Sequence, residues 1–143
     1  MNIVLDTNVL ISATFWNGAA HELLIHAEKN DYQLFISPFI IEEYQETLND
    51  SELQTKINIK KINNQEAIEQ IINMATIILP TTKINLITED IDDNEILACA
   101  IDSKADYLVT RDNHLLKIEK YNQIKIIRPE EILPLIRKMV TKD

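Results

Sequence analysis

At 143 residues the chain fits one domain, residues 1–143, large enough to bury roughly two thirds of the surface its unfolded form exposes. Its 45% apolar content suits a globular core, no apolar run approaches the ~20 residues of a membrane span, and the lone Cys99 excludes an internal disulfide. A formal net charge of -9 argues against a general nucleic-acid binder with a basic face, and MNIVLDTN has neither the basic stretch nor the cleavage site of a signal peptide, so a cytoplasmic location is expected.

Asn2 to Leu5 is apolar and β-branched, as in a buried parallel strand, and Asp6-Thr7-Asn8 then opens the helical turn VLISATF. A second helix is predicted in WNGAAHELLIHAEKN, apolar at Leu23, Leu24 and Ala27. Tyr32 to Ser37 reads as the second strand; Pro38 suits the first turn of a helix through FIIEEYQETL, with Ser37 as its N-cap. From Ser51 to Ala75 isoleucines recur in a polar sequence, predicting one or two helices broken near Asn63-Asn64. Thr76 to Leu79 makes a third strand stopped by Pro80, Thr81 to Asp92 a loop, and Asp93 begins a helix through ILACAIDSK. Tyr107 to Thr110 is the fourth strand, HLLKI a short helix after Asp112, Lys125 to Ile127 the fifth strand, and Pro129 starts the last helix. Strands separated by helices argue for an α/β sandwich around a mainly parallel sheet, whose sites form beyond the carboxyl ends of the strands.

Asp6, Glu43, Asp93 and Asp112 sit at such ends or on helices beside them. Taken singly, the three aspartates are ordinary helix caps worth ~1 kcal/mol and Glu43 is a solvated helix residue. Taken together, four mutually repelling carboxylates call for a divalent cation. Acids crowd Glu89 to Asp112, whereas the tail carries Lys117, Lys120, Lys125, Arg128, Arg137, Lys138 and Lys142, and Lys56, Lys60 and Lys61 form the only other local basic cluster. An acidic centre with a basic rim suits a metal site that holds a phosphate backbone, and equally a solvated surface.

LDTNVLIS, SPFIIEEYQETL, DIDDNEILACAIDSKADYLVTRDNHLL and IIRPEEIL, in that order, resemble a PIN-domain protein, specifically the small stand-alone PIN proteins grouped with toxins of toxin-antitoxin pairs. Glu52 to Thr88 carries no distinctive match. The resemblance implies a three-layer α/β/α fold and a metal-dependent nuclease centre. Asp6 matches the first acid of that centre, Glu43 rather than Glu42 the second, Asp93 the third and Asp112 the last, with Asp90 and Asp92 as neighbours that assist or are merely solvated. It also implies an endoribonuclease with an RNA substrate, a cognate antitoxin and a homodimer, for which apolar helix faces such as FIIEEY offer a surface.

Oxygen ligands without a matching His or Cys cluster point to Mg2+ or Mn2+ rather than zinc, and His21, His26 and His114 read as scattered, surface or partly packed imidazoles. One cation, or two ~3.5 to 4 Å apart, lowers the pKa of a bound water and neutralises charge on a phosphodiester, leaving 5'-phosphate and 3'-hydroxyl ends. Such chemistry does not require the RNA 2'-hydroxyl, so the preference for RNA rests on the resemblance. At least one of Asn8, Ser12 and Thr110 is expected to hydrogen-bond a ligating carboxylate, with Asp90 a further candidate; Thr7 and Asn8 are equally helix-start residues. Arg111 and Lys117 are candidates for holding a phosphate. Two other classes fit: a PIN-like module that binds protein partners through its acidic surface, and another Mg2+-dependent phosphoryl-transfer enzyme. The last is weakened because LDTN lacks a second aspartate two residues after Asp6.

Overall fold

The computed structural model describes residues 1–57, 63–84 and 91–141. Glu89, Asp90, Lys60, Lys61 and Lys142 lie outside the described residues. The N-terminal apolar run forms strand β1 (Asn2–Leu5), in which Ile3, Val4 and Leu5 are all fully buried. Successive strand side chains face opposite sides of a sheet, so this burial requires helices on both faces and makes β1 the centre of a three-layer arrangement. Helices α1 (Thr7–Phe15) and α2 (Ala19–Glu28) follow, then strand β2 (Gln33–Ile36).

Strand β2 ends where Pro38, with its fixed φ and missing N–H, starts helix α3 (Pro38–Leu48). Ser37 caps it, its hydroxyl accepting from the Ile40 N–H at 3.3 Å. The apolar positions of FIIEEY do not form an outer surface. Ile40 and Tyr44 are buried in the protein's own core, with Phe39 and Ile41 packed against it. Ile40 and Tyr44 of that helix are therefore already claimed by the core, leaving only the partly exposed Phe39 and Ile41 for any outer surface.

Helix α4 (Ser51–Ile57) and helix α5 (Asn64–Met74) divide the polar, isoleucine-rich stretch. Asn63 caps α5 by accepting from the Gln65 N–H at 2.7 Å. Strand β3 (Ala75–Ile77) comes a residue earlier than the apolar run TIIL suggests and stops before Leu79. Helix α6 (Ile91–Asp102) begins before Asp93, which is thus not a cap but lies inside the first turn, where with Asp92 it complements the helix dipole. Strand β4 (Tyr107–Val109) and helix α7 (Asn113–Leu116) follow. Strand β5 (Lys120–Tyr121), too short to announce itself by periodicity, pairs antiparallel with strand β6 (Ile124–Ile127), the turn between them using Asn122 in the left-handed region.

The sheet order is β3-β2-β1-β4-β6-β5, and every pairing except β5 with β6 is parallel. Helix α6 lies against β1, β2 and β4, while α1 packs on α2 and α3. The last helix, α8 (Pro129–Thr141), packs on α2 and carries Pro134 in its interior. Two ion pairs tie it down. Glu130 accepts from Arg111 at 2.5 Å, and Arg137 grips Glu22 of α2 with two nitrogens, at 2.6 and 3.1 Å. One cation of the supposed basic rim, Arg137, and the phosphate candidate Arg111 are thereby engaged within the fold.

Because Ser37 is buried and satisfies an amide of the first turn of α3, Ser37→Ala is expected to destabilise the protein by about 1 kcal/mol. Urea unfolding followed by circular dichroism measures this, and an unchanged midpoint would show that the cap contributes nothing.

Candidate metal centre

The parallel register sets Leu5 of β1 opposite Val109 of β4, and the Asp6 N–H continues the ladder to the Val109 carbonyl at 2.9 Å. The chain therefore leaves both strands side by side, at the carboxyl edge where parallel sheets bind ligands. Asp6 lies beside Thr110, whose hydroxyl donates to Asp6 Oδ2 at 2.7 Å. The Thr110 hydroxyl oxygen in turn accepts from the Asp112 N–H at 3.0 Å. One buried threonine thus fixes an acid from each of two strands 104 residues apart.

Asp6 stands at the N-cap position of α1, yet its side chain makes no capping hydrogen bond. Burial pushes its carboxyl above the ordinary range; the Thr110 hydroxyl draws it back, the negative charge of Asp112 raises it further, and the nearby Thr7 and Asn8 amides lower it. Asp112, by contrast, is a true cap. Its Oδ1 accepts from the His114 N–H at 2.8 Å and so starts α7.

Glu43 comes from α3, and Thr7, buried in the first turn of α1, donates a hydrogen bond to Glu43 Oε1. Thr47, one turn further on, bonds the Glu43 carbonyl at 2.9 Å. The neighbouring Glu42 is exposed. Asp93 is delivered by α6 and is only 3% exposed, whereas Asp92 beside it is exposed.

These groups meet in a cleft of about 110 Å³ lined by Asp6, Thr7, Asn8, Glu43, Thr47, Asp92, Asp93, Ile96 and Asp112. The four acids singled out in the sequence are all there. No lysine or arginine is among the described residues that line it. Carboxylates crowded into a partly buried hollow fit a hard divalent cation, which takes oxygen ligands and removes their repulsion. His114, set aside in the sequence as one of three scattered imidazoles, stands beside two of these acids without lining the cleft itself. One ligand atom each of Asp93, Asp112 and His114 lie within 4.8 Å of one another. The signal for it was the Asp-x-His spacing in TRDNH, which becomes meaningful only once Asp112 caps a turn that folds His114 back.

The other expected residues fall less centrally. Asn8 is exposed but lines the cleft. The Ser12 hydroxyl accepts from Arg111 at 3.3 Å instead of reaching an acid, and Arg111 also holds Glu130, drawing that carboxyl below its ordinary range. Lys117 sits exposed at the C-cap of α7. Neither Arg111 nor Lys117 lines the cleft.

The PIN domain family matches residues 2–114, a span that holds all four acids and His114. The chain belongs to the PIN-domain family. PIN domains are in general nucleases that use divalent metals. Among solved structures, this PIN domain is similar to a chain of the VapBC2 complex from Rickettsia felis, crystallised bound to a DNA fragment from their promoter. The two share 18% sequence identity with a TM-score of 0.58, over 88% of this chain and 97% of that one. At that identity the likeness is one of fold. No curated protein matches the chain.

Asp6 binds its proton more tightly in the fold than in the unfolded chain, so in metal-free buffer its contribution to stability falls as pH rises above 3.8. Asp6→Asn keeps the acceptor for Thr110 but removes the buried charge. In chelator at neutral pH the variant is expected to melt a few degrees above the wild type, with the gap closing as pH is lowered. A variant that melts below the wild type at neutral pH would show that burial does not dominate this group.

Proposed function

We propose that this PIN-domain protein is a Mg2+- or Mn2+-dependent endoribonuclease and the toxin component of a toxin-antitoxin pair. The single observation that carries the reading is the convergence of Asp6, Glu43, Asp93 and Asp112, from four separate parts of the chain, into one cleft at the carboxyl edge of the sheet. These four would hold the cation. When bound, it supplies acidification of a water and neutralisation of charge on the phosphodiester.

The chain's own residues prepare that chemistry. Thr110 and Thr7 lock Asp6 and Glu43 in place, so the carboxylates need not reorganise when substrate arrives. Asn8 stands at the mouth of the cleft, where it can meet a phosphate oxygen or a water. Arg111, committed to Glu130 and Ser12, holds the turn that carries Asp112 rather than reaching into the cleft. The four-acid cleft also favours a nuclease over a pure interaction module, which has no use for such a hollow. A solved neighbour of the same fold is a VapBC2 complex with promoter DNA, which supports a small partner protein for this chain as well. Such a partner would cover the acidic cleft and place an Arg or Lys among its carboxylates. Homodimerisation rests on the resemblance to stand-alone PIN toxins, and a cytoplasmic, single-domain protein is part of the same reading.

Incubation of the pure protein with defined RNAs and Mn2+ is expected to give fragments with 5'-phosphate and 3'-hydroxyl ends; 2',3'-cyclic phosphates would sink the metal-water mechanism. Asp6→Asn and Asp93→Asn are each expected to lower cleavage by about 100-fold or more while the fold is kept, since even groups behind the ligands cost ~10- to 100-fold.

Binding should also be visible without turnover. Free Mn2+ at about 100 times its Kd is expected to stabilise the wild type by about 2.7 kcal/mol, and neither aspartate variant to the same extent. Thermal unfolding with and without Mn2+ tests this, and an equal shift in wild type and both variants would place the ion elsewhere.

A further inference from the structure

We propose that His114 is a nitrogen ligand of the metal centre and that it tilts the site toward Mn2+ and away from Mg2+. The inference rests on the metal-centre reading given above and deepens it by naming the ion.

The argument starts from the local fold. Asp112 Oδ1 receives the His114 N–H at 2.8 Å, which closes the first turn of α7 and brings residue 114 back over the carboxylate that caps it. The ring stands beside that carboxylate, with Nδ1 3.7 Å from Asp112 Oδ1. Asp93 reaches the same place from α6. One atom from each of the three residues lies within 4.8 Å of the others, a spacing comparable with that of ligands bound about 2.1 to 2.4 Å from one ion. The imidazole is about half exposed, so its ring is free to turn by the small amount that coordination requires.

A second observation distinguishes this imidazole from the other two. His21 directs Nδ1 to the Ala13 carbonyl at 2.9 Å and His26 directs Nδ1 to Asp31 at 2.6 Å, both within the α1–α2 region and away from the cleft. Only His114 stands beside acids that line it.

The donor set then decides the metal. Mg2+ demands a near-ideal octahedron and sheds its waters reluctantly, whereas first-row transition ions, with Mn2+ the most oxygen-loving of them, give up a water for an imidazole nitrogen more readily than Mg2+ does. Four carboxylates alone would suit either ion. Adding one nitrogen favours the transition metal.

The test uses the purified full chain with Mn2+ and Mg2+ as the probes. Pulsed electron paramagnetic resonance of the Mn2+-loaded protein is expected to show coupling to one imidazole 14N. That coupling should vanish in His114→Ala and His114→Gln and persist in His21→Ala and His26→Ala. Competition titrations are expected to give a wild-type preference for Mn2+ over Mg2+ that drops about tenfold or more in both His114 variants, and circular dichroism checks that they are folded. If Mn2+ binds but no 14N coupling is seen, or the coupling survives both substitutions, His114 only pairs with Asp112 and the inference is overturned while the four-acid centre stands. If the wild type binds neither ion, the inference and the metal-centre reading fall together.

Discussion

Parallel pairing of β1 with β4 is the constraint on which the site depends. Two segments 104 residues apart are held in a register that sets Leu5 against Val109, and the next residue on each side is then a neighbour in space. The Thr110 hydroxyl exploits that adjacency, donating a hydrogen bond to Asp6 and accepting one from the Asp112 amide. A slip of one residue would turn every side chain of the strand to the opposite face and break the joint. The full burial of Ile3, Val4 and Leu5 is what forbids the slip, since it would require the whole apolar set to be repacked.

The same arrangement sets stability against function. Burying a carboxylate is unfavourable, and the raised proton affinity of Asp6 is the visible sign of it. The structure limits the penalty locally, with Thr110 for Asp6 and Thr7 for Glu43, and globally by placing the acids at an edge between helices rather than in the core. Local conflicts of this kind are expected where a fold serves a site rather than itself.

Much of this was legible in the sequence because it is written in short-range signals. The apolar run before Asp6, the Ser37-Pro38 pair and the break at Asn63-Asn64 each specify an element boundary through residues within one helical turn. What stayed hidden depends on partners far away or on geometry at a turn. Strand β5 has two residues and exists only because Asn122 reverses the chain against β6. His114 looks like any surface histidine until Asp112 folds it back. FIIEEY reads as an apolar surface, and nothing local says that the core already claims Ile40 and Tyr44. The engagement of Arg111 by Glu130 could not be read either, because a charge pair between exposed residues leaves no pattern in either segment.

Helix α8 carries a break at Pro134, which offers no N–H to the carbonyl of Glu130 one turn earlier. The two ion pairs fall on either side of that break, Glu130 with Arg111 before it and Arg137 with Glu22 after it. Each half of the helix thus has its own anchor: Glu130 steadies Arg111 and the turn bearing Asp112, while Arg137 and the fully buried Ile136 bind the far half to α2 and the core.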